Sequence, residues 1–150
     1  MKSKVLSGFM GLLLLISSLP LRAQVGQAPL VDSIGCKQKF AATIEMKKGY
    51  LSGICILVVE DDCYRASLFN EFGISALDFT YQQNKRKIKL QHVIKMLDKW
   101  YIRKVLKRDL AHVIDNLLQG IPSYMDEKYH IKYQFTLLND SEGTNDATEE

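Results

Sequence analysis

GYLSGICILVVEDDCYRASLFNEFGISALDFTYQ, residues 49–82, decides the fold. It reads as three strands in succession, joined by two tight turns. Residues 54–59 of this stretch, ICILVV, are apolar at every position. Continuous apolarity in an antiparallel strand means that both of its faces are covered. The strand is therefore expected to carry a helix on one side and a cavity or second layer on the other. Asp61-Asp62 makes a turn, and if it has two residues, Val59 faces Tyr64, Leu57 faces Ala66 and Cys55 faces Leu68. One face of the hairpin is then wholly apolar. The other, Ile54, Ile56, Val58, Arg65, Ser67 and Phe69, is mixed. In this register Cys55 and Cys63 lie at opposite ends of the ladder, too far apart for a disulfide.

The flanking elements follow from periodicity. Residues 38–46 alternate, with Phe40, Ala42, Ile44 and Met46 on one side, and Lys47-Lys48-Gly49 turns the chain, with Gly49 free to take a positive φ. Gly73 is placed to do the same after Asn70-Glu71-Phe72. A fourth strand over 76–82 turns Leu77, Phe79 and Tyr81 inward, and a fifth runs from 87 to about 91. The period then changes from two to 3.6 over residues 92–119, read as one helix or as two with a bend near Trp100. Gly120 and Pro122 form a helix stop, and residues 128–138 alternate again as a sixth strand. The fold class is α+β, an antiparallel sheet of about six strands with a helical segment packed on one face.

The ends of the chain have other signatures. Lys2 and Lys4 precede an apolar run to about Pro20 and a small residue at Ala23, the pattern of a secretory signal peptide over residues 1–23. Cleavage after Ala23 would place the chain in the periplasm of a Gram-negative bacterium. Residues 24–37 read as an extended leader, 38–138 as one domain, and 139–150 as a disordered acidic tail. Without Lys2, Lys4 and Arg22, the 20 basic residues fall to 17 and equal the 17 acidic ones. A net charge of zero removes the global electrostatic case for nucleic acid. The three cysteines cannot all pair within one chain. A lipid-attachment cysteine sits directly after the apolar run, and the more than a dozen mixed residues before Cys36 disfavour lipid attachment there.

Chemistry-bearing constellations are sparse. His92, His112 and His130 lie on separate elements with no carboxylate or cysteine at ligand spacing. Glu60, Asp61 and Asp62 at a hairpin tip suit turn chemistry and supply too few oxygens for calcium. No metal motif, cofactor motif, phosphate loop or nucleophile elbow is present, so no enzyme is expected. The sharpest electrostatic feature is residues 85–108, with ten Lys or Arg against the single acid Asp98. Lys99, Arg103 and Lys107 share a helix face, beside Lys104 and Arg108. That face suits anionic headgroups or an acidic partner, or simply solvent. Trp100 and Tyr101 suit either a membrane interface or the core.

Several of these features occur together: Ser52-Gly53 opening an apolar strand, a short acidic turn, Arg65, the Asn70-Glu71-Phe72-Gly73 turn followed by Asp78-Phe79, and a basic amphipathic helix reaching Asp109-Leu110. Together, over about residues 38–118, they resemble small secreted Bacteroidetes proteins similar to the periplasmic lipoprotein carrier and outer-membrane acceptor, LolA and LolB. The resemblance implies a strongly curved, unclosed barrel whose helices lie over a concave face that receives acyl chains. On that reading Cys55, Leu57, Val59, Tyr64, Leu68, Leu77 and Phe79 line an apolar ligand face. Lys99, Arg103, Lys104 and Lys107 meet a membrane or partner. The expected function is non-enzymatic binding of a lipid or lipoprotein acyl chain. The alternative is an envelope protein-interaction module with a filled core, using its basic helix or sheet edge.

Overall fold

The computed structural model describes residues 26–138; the expected signal peptide and acidic tail lie outside them. The chain runs β1 (Lys37–Met46), β2 (Gly49–Val59), β3 (Tyr64–Asn70), β4 (Ser75–Gln82), β5 (Lys87–Val93), α1 (Trp100–Leu118), β6 (Ser123–Asp126) and β7 (Ile131–Leu137). The seven strands form one antiparallel sheet, in the order β5-β4-β3-β2-β1-β7-β6. The sheet curls into a half-barrel with α1 packed against it.

The central hairpin has the expected register. Val59 pairs with Tyr64, Leu57 with Ala66 and Cys55 with Leu68. These residues bury their side chains on the concave side, together with Phe40 and Ile44 of β1, Phe79 and Tyr81 of β4, and Tyr133 and Phe135 of β7. From the other side α1 presents Leu106, Leu110, Val113, Ile114 and Leu117, the 3.6-residue stripe that the sequence predicts. Each such side chain contributes roughly 1.5–3 kcal/mol on burial.

Four expectations need correction. First, the sheet has a seventh strand, β6, which pairs with β7. Its four residues, Ser-Tyr-Met-Asp, are too few to show a period. Second, β5 continues to Val93. A register shift opposite Asp78 and Phe79 leaves Gln91 unpaired, and the bulge turns Val93 inward against the simple alternation. The helix is accordingly one element, beginning only at Trp100. Third, Gly49 is not among the glycines with positive φ, whereas Gly73 has φ +75° as expected. Fourth, no described residue layers over the convex face of β2, where Ile54 is 40% exposed. Ile56 and Val58 beside it are half-buried. Their β-branched side chains are shielded by cross-strand neighbours and not by a second layer.

The end of α1 follows the sequence signal. Gly120 adopts φ +77°. Its N–H donates to the Leu117 carbonyl at 3.1 Å, and the Ile121 N–H to Asn116 at 2.8 Å. This is the Schellman arrangement, which satisfies the last helical carbonyls. The leader then closes over this end. Gln27 N–H donates to Gly120 and Leu30 N–H to Leu117. The Gln27 side chain donates to the Phe135 carbonyl at 2.9 Å and accepts from Leu137 N–H at 2.8 Å.

Candidate functional site

The seven residues expected to line a ligand face are core residues. Cys55, Leu57, Val59, Tyr64, Leu68, Leu77 and Phe79 are each at most 4% exposed, beneath α1. The reason is geometric: the helix lies in the trough of the sheet, and its leucine and isoleucine side chains occupy the space over β2 and β3. Burial pushes the Cys55 thiol up to about 12, so it behaves as a small apolar group. All three cysteines are free.

Open space lies elsewhere, at one end of the half-barrel. A cavity of about 660 Å³ lies between the β1–β2 turn, the segment entering α1, the first two turns of α1 and the β6–β7 turn. Its apolar lining comes from Met46, Met96, Ile102, Val105 and Ile131, and its aromatic lining from Trp100, Tyr101 and Tyr129. Gly49 brings the β1–β2 turn against Met96: a Cβ there would lie 3.5 Å from both Met46 Cε and Met96 Sδ. Lys47, Lys48, Lys99, Lys104 and Arg108 add five cationic groups, and among the described residues no carboxylate lines it.

Of the four helix cations expected to make contacts, the structure brings two to this cavity. Lys99 is the N-cap residue of α1, and Lys104 follows one turn later. Arg103 turns to Asp98 instead, with Nε 2.5 Å from Oδ1. Lys107 is exposed and is not part of the lining. Sequence spacing placed Arg103 and Lys107 with Lys99 because they share a face four residues apart. It could not register the turn lysines 47 and 48, which tertiary folding brings to the same mouth.

Behind the cavity, Arg108 is held by a buried acidic pair. Its Nη2 donates to Asp126 Oδ2 at 2.9 Å and lies 3.5 Å from Asp109 Oδ1. Asp109 is 0% exposed, and its Oδ2 accepts the Tyr133 hydroxyl at 2.8 Å. Burial, reinforced by the Asp126 carboxyl, pushes Asp109 up to about 6. Asp126 also pays a desolvation cost, yet hydrogen bonds from Asp109, the Tyr129 N–H and Arg108 hold it below the usual carboxylate range. Asp109 Oδ1 accepts no hydrogen bond from the described residues. Arg108 also lies over the Tyr129 ring, 5.6 Å from its centroid.

The remaining candidates are dispersed. His92 is exposed on β5, His130 is exposed in the β6–β7 turn, and His112 stacks on Tyr124 at 5.0 Å. The hairpin acids border a second, smaller cavity of about 290 Å³ with Asp32 and Cys63. Glu60 there pairs with Arg65 at 3.0 Å. Among the described residues no group of three or more His, Cys, Asp or Glu is arranged to hold a metal. No helix among them is long and apolar enough to cross a membrane.

Comparison with protein families, with curated proteins and with solved structures finds no significant match to this chain.

Proposed function

We propose that this chain is a periplasmic, non-enzymatic binding protein for a lipid or lipoprotein acyl chain. Its binding site would be the cavity at the open end of the half-barrel, not the apolar face of the sheet. The observation that carries this reading is the composition of that cavity: about 660 Å³, apolar and aromatic within, with five cations and no carboxylate among the described residues that line it. Small-molecule sites have this size and this mostly apolar character, with a few polar groups that fix orientation. An acyl chain would lie against Met46, Ile102, Val105 and Ile131, and an anionic head would meet Lys104 and Arg108.

The test is uptake of a fluorescent fatty acid by the purified chain in vesicle-free buffer, with mass spectrometry of co-purified lipid. Saturable uptake is expected. Ile102→Glu, which puts a charge into the apolar lining at a half-buried position, should weaken it about tenfold or more. The absence of both uptake and bound lipid would remove the proposal. One observation favours a second reading, an envelope protein-interaction module. The apolar face of the sheet is filled by α1, so that face has no room for a guest. That reading predicts no lipid uptake and a protein partner bound through the cationic helix.

A further inference from the structure

The strand connections place the turns 47–48, 71–74 and 127–130, and the start of α1, at the same end of the sheet. Large apolar side chains are exposed on or beside every one of them. Trp100 and Phe72 are each 78% exposed, Ile74 60% and Tyr50 59%, with Met96 and Tyr129 also open to solvent. Met96, Trp100 and Tyr129 border the cavity, whereas Tyr50, Phe72 and Ile74 stand apart from it on other turns at that end of the sheet. Lys47, Lys48, Lys95 and Lys99 are exposed at the same end.

We infer that this end of the half-barrel is a docking surface for an anionic lipid bilayer, with Trp100 and Phe72 entering its interfacial layer and Lys47, Lys48 and Lys99 lying against its headgroups. A groove-shaped apolar patch would suit a peptide or helix. Scattered apolar tips at one end, separated by lysines, suit a planar and fluid surface. Indole and phenol rings favour the headgroup level, and lysine stems can bury their methylenes while the ammonium stays with phosphate. Charge complementarity selects an anionic surface. Among the described residues none of Lys47, Lys48 or Lys99 has a carboxylate within ion-pair distance, while Asp98 is engaged by Arg103. Glu45, two residues before Lys47, is the strand-register partner of Lys132 on the convex side, and Glu71 and Glu127 are the exposed acids on the turns themselves, outnumbered by Lys47, Lys48, Lys95, Lys99 and Lys128. The benefit of docking rests on the lipid-binding reading above: with the mouth on the bilayer, an acyl chain enters without crossing water, which disfavours each methylene by about 0.8 kcal/mol.

Trp100 is the only tryptophan in the chain, so its emission reports on the docking surface alone. The purified protein is mixed with vesicles of phosphatidylcholine, or of phosphatidylcholine with phosphatidylglycerol, and also sedimented with them. With phosphatidylglycerol present, the emission should shift to the blue, bromine-labelled acyl chains should quench it, and the protein should sediment. Added salt should reverse binding. Lys47→Glu with Lys48→Glu should weaken partition about tenfold or more. Phe72→Ser, which keeps the reporter and changes an exposed site, should weaken it too. Unchanged emission with the protein left in the supernatant overturns the inference, and so does equal binding to the neutral vesicles. Fatty-acid uptake without vesicle binding overturns docking and leaves the lipid-binding reading standing. Vesicle binding without uptake supports docking and removes that reading.

Discussion

Gly53 lies where the backbone of β3 leaves no room for a side chain on β2. A Cβ there would sit 1.8 Å from the Phe69 carbonyl oxygen and 2.7 Å from its carbon. Both obstacles are backbone, so no rotamer change relieves the overlap, and the sheet would have to open beside the Leu68/Phe69 irregularity. Gly53→Ala is expected to destabilise the fold by about 3 kcal/mol or more, read from the denaturation midpoint. Gly73→Ala is the control. Its φ of +75° is strained for alanine, but nothing lies within 4 Å of the added methyl, so the cost should be near 1 kcal/mol. Equal losses in the two variants would refute the close-approach argument. Only one of these roles is visible in the sequence. Gly73 ends an Asn-Glu-Phe-Gly turn and declares itself. Gly53 sits in an apolar strand, where its reason is a neighbour 16 residues away.

At the scale of the element, α1 is held by more than its apolar stripe. Tyr81 of β4 donates to Asp115 at 2.7 Å, and Tyr133 of β7 donates to Asp109 at 2.8 Å. Two buried phenols on opposite wings of the sheet thus reach carboxylates on one helix. Asp109 makes this arrangement pH-sensitive. Its pKa is about 6 in the folded chain against an ordinary 3.8, so between these values the folded state holds a proton that the unfolded state has lost. Stability therefore falls as pH rises from about 4 to about 6 and levels off above. Asp126 is shifted the other way, and its contribution is lost only as the solution becomes more acidic still. Asp109→Asn keeps an acceptor for Tyr133 and a donor for Asp126 without the charge. The variant should be more stable than the parent at pH 7.5, by on the order of 2–3 kcal/mol, and about equal to it at pH 4. Thermal melts across this range check the prediction, and a gap independent of pH would contradict it.

On the scale of the whole molecule, the half-barrel has a closed end and an open end. The closed end is sealed by the leader, with Leu30 buried and the Tyr64 hydroxyl donating to Asp32 at 2.5 Å. The other end holds the 660 Å³ cavity and its cations. Because residues 26–36 are part of the folded unit, an expected processing site after Ala23 falls just ahead of Gln27, the first of the described residues with a backbone hydrogen bond to the domain. Export of the full chain should yield a mature form beginning at Gln24, read by intact-mass spectrometry. A product that retains residues 1–23 would contradict the signal-peptide reading.

Sequence alone was enough for the central hairpin, its register and its two unlike faces. Alternation and turn chemistry act between residues that are close along the chain, and a two-residue turn leaves one pairing. It was enough also for the helix stripe and the Gly120 stop, which depend on spacings within one or two turns. The seventh strand escaped because four residues carry no period, and the β5 bulge because it breaks one. What only the tertiary structure decided is where open space remains. A wholly apolar sheet face looks the same in sequence whether a helix fills it or a guest does. Packing assigned Leu57 and Val59 to α1 and left the room beside Met46, Met96 and Ile131, three residues from separate segments. The cationic mouth formed in the same way, from Lys47 and Lys48 on a hairpin turn and Lys99 and Lys104 on a helix more than 50 residues later.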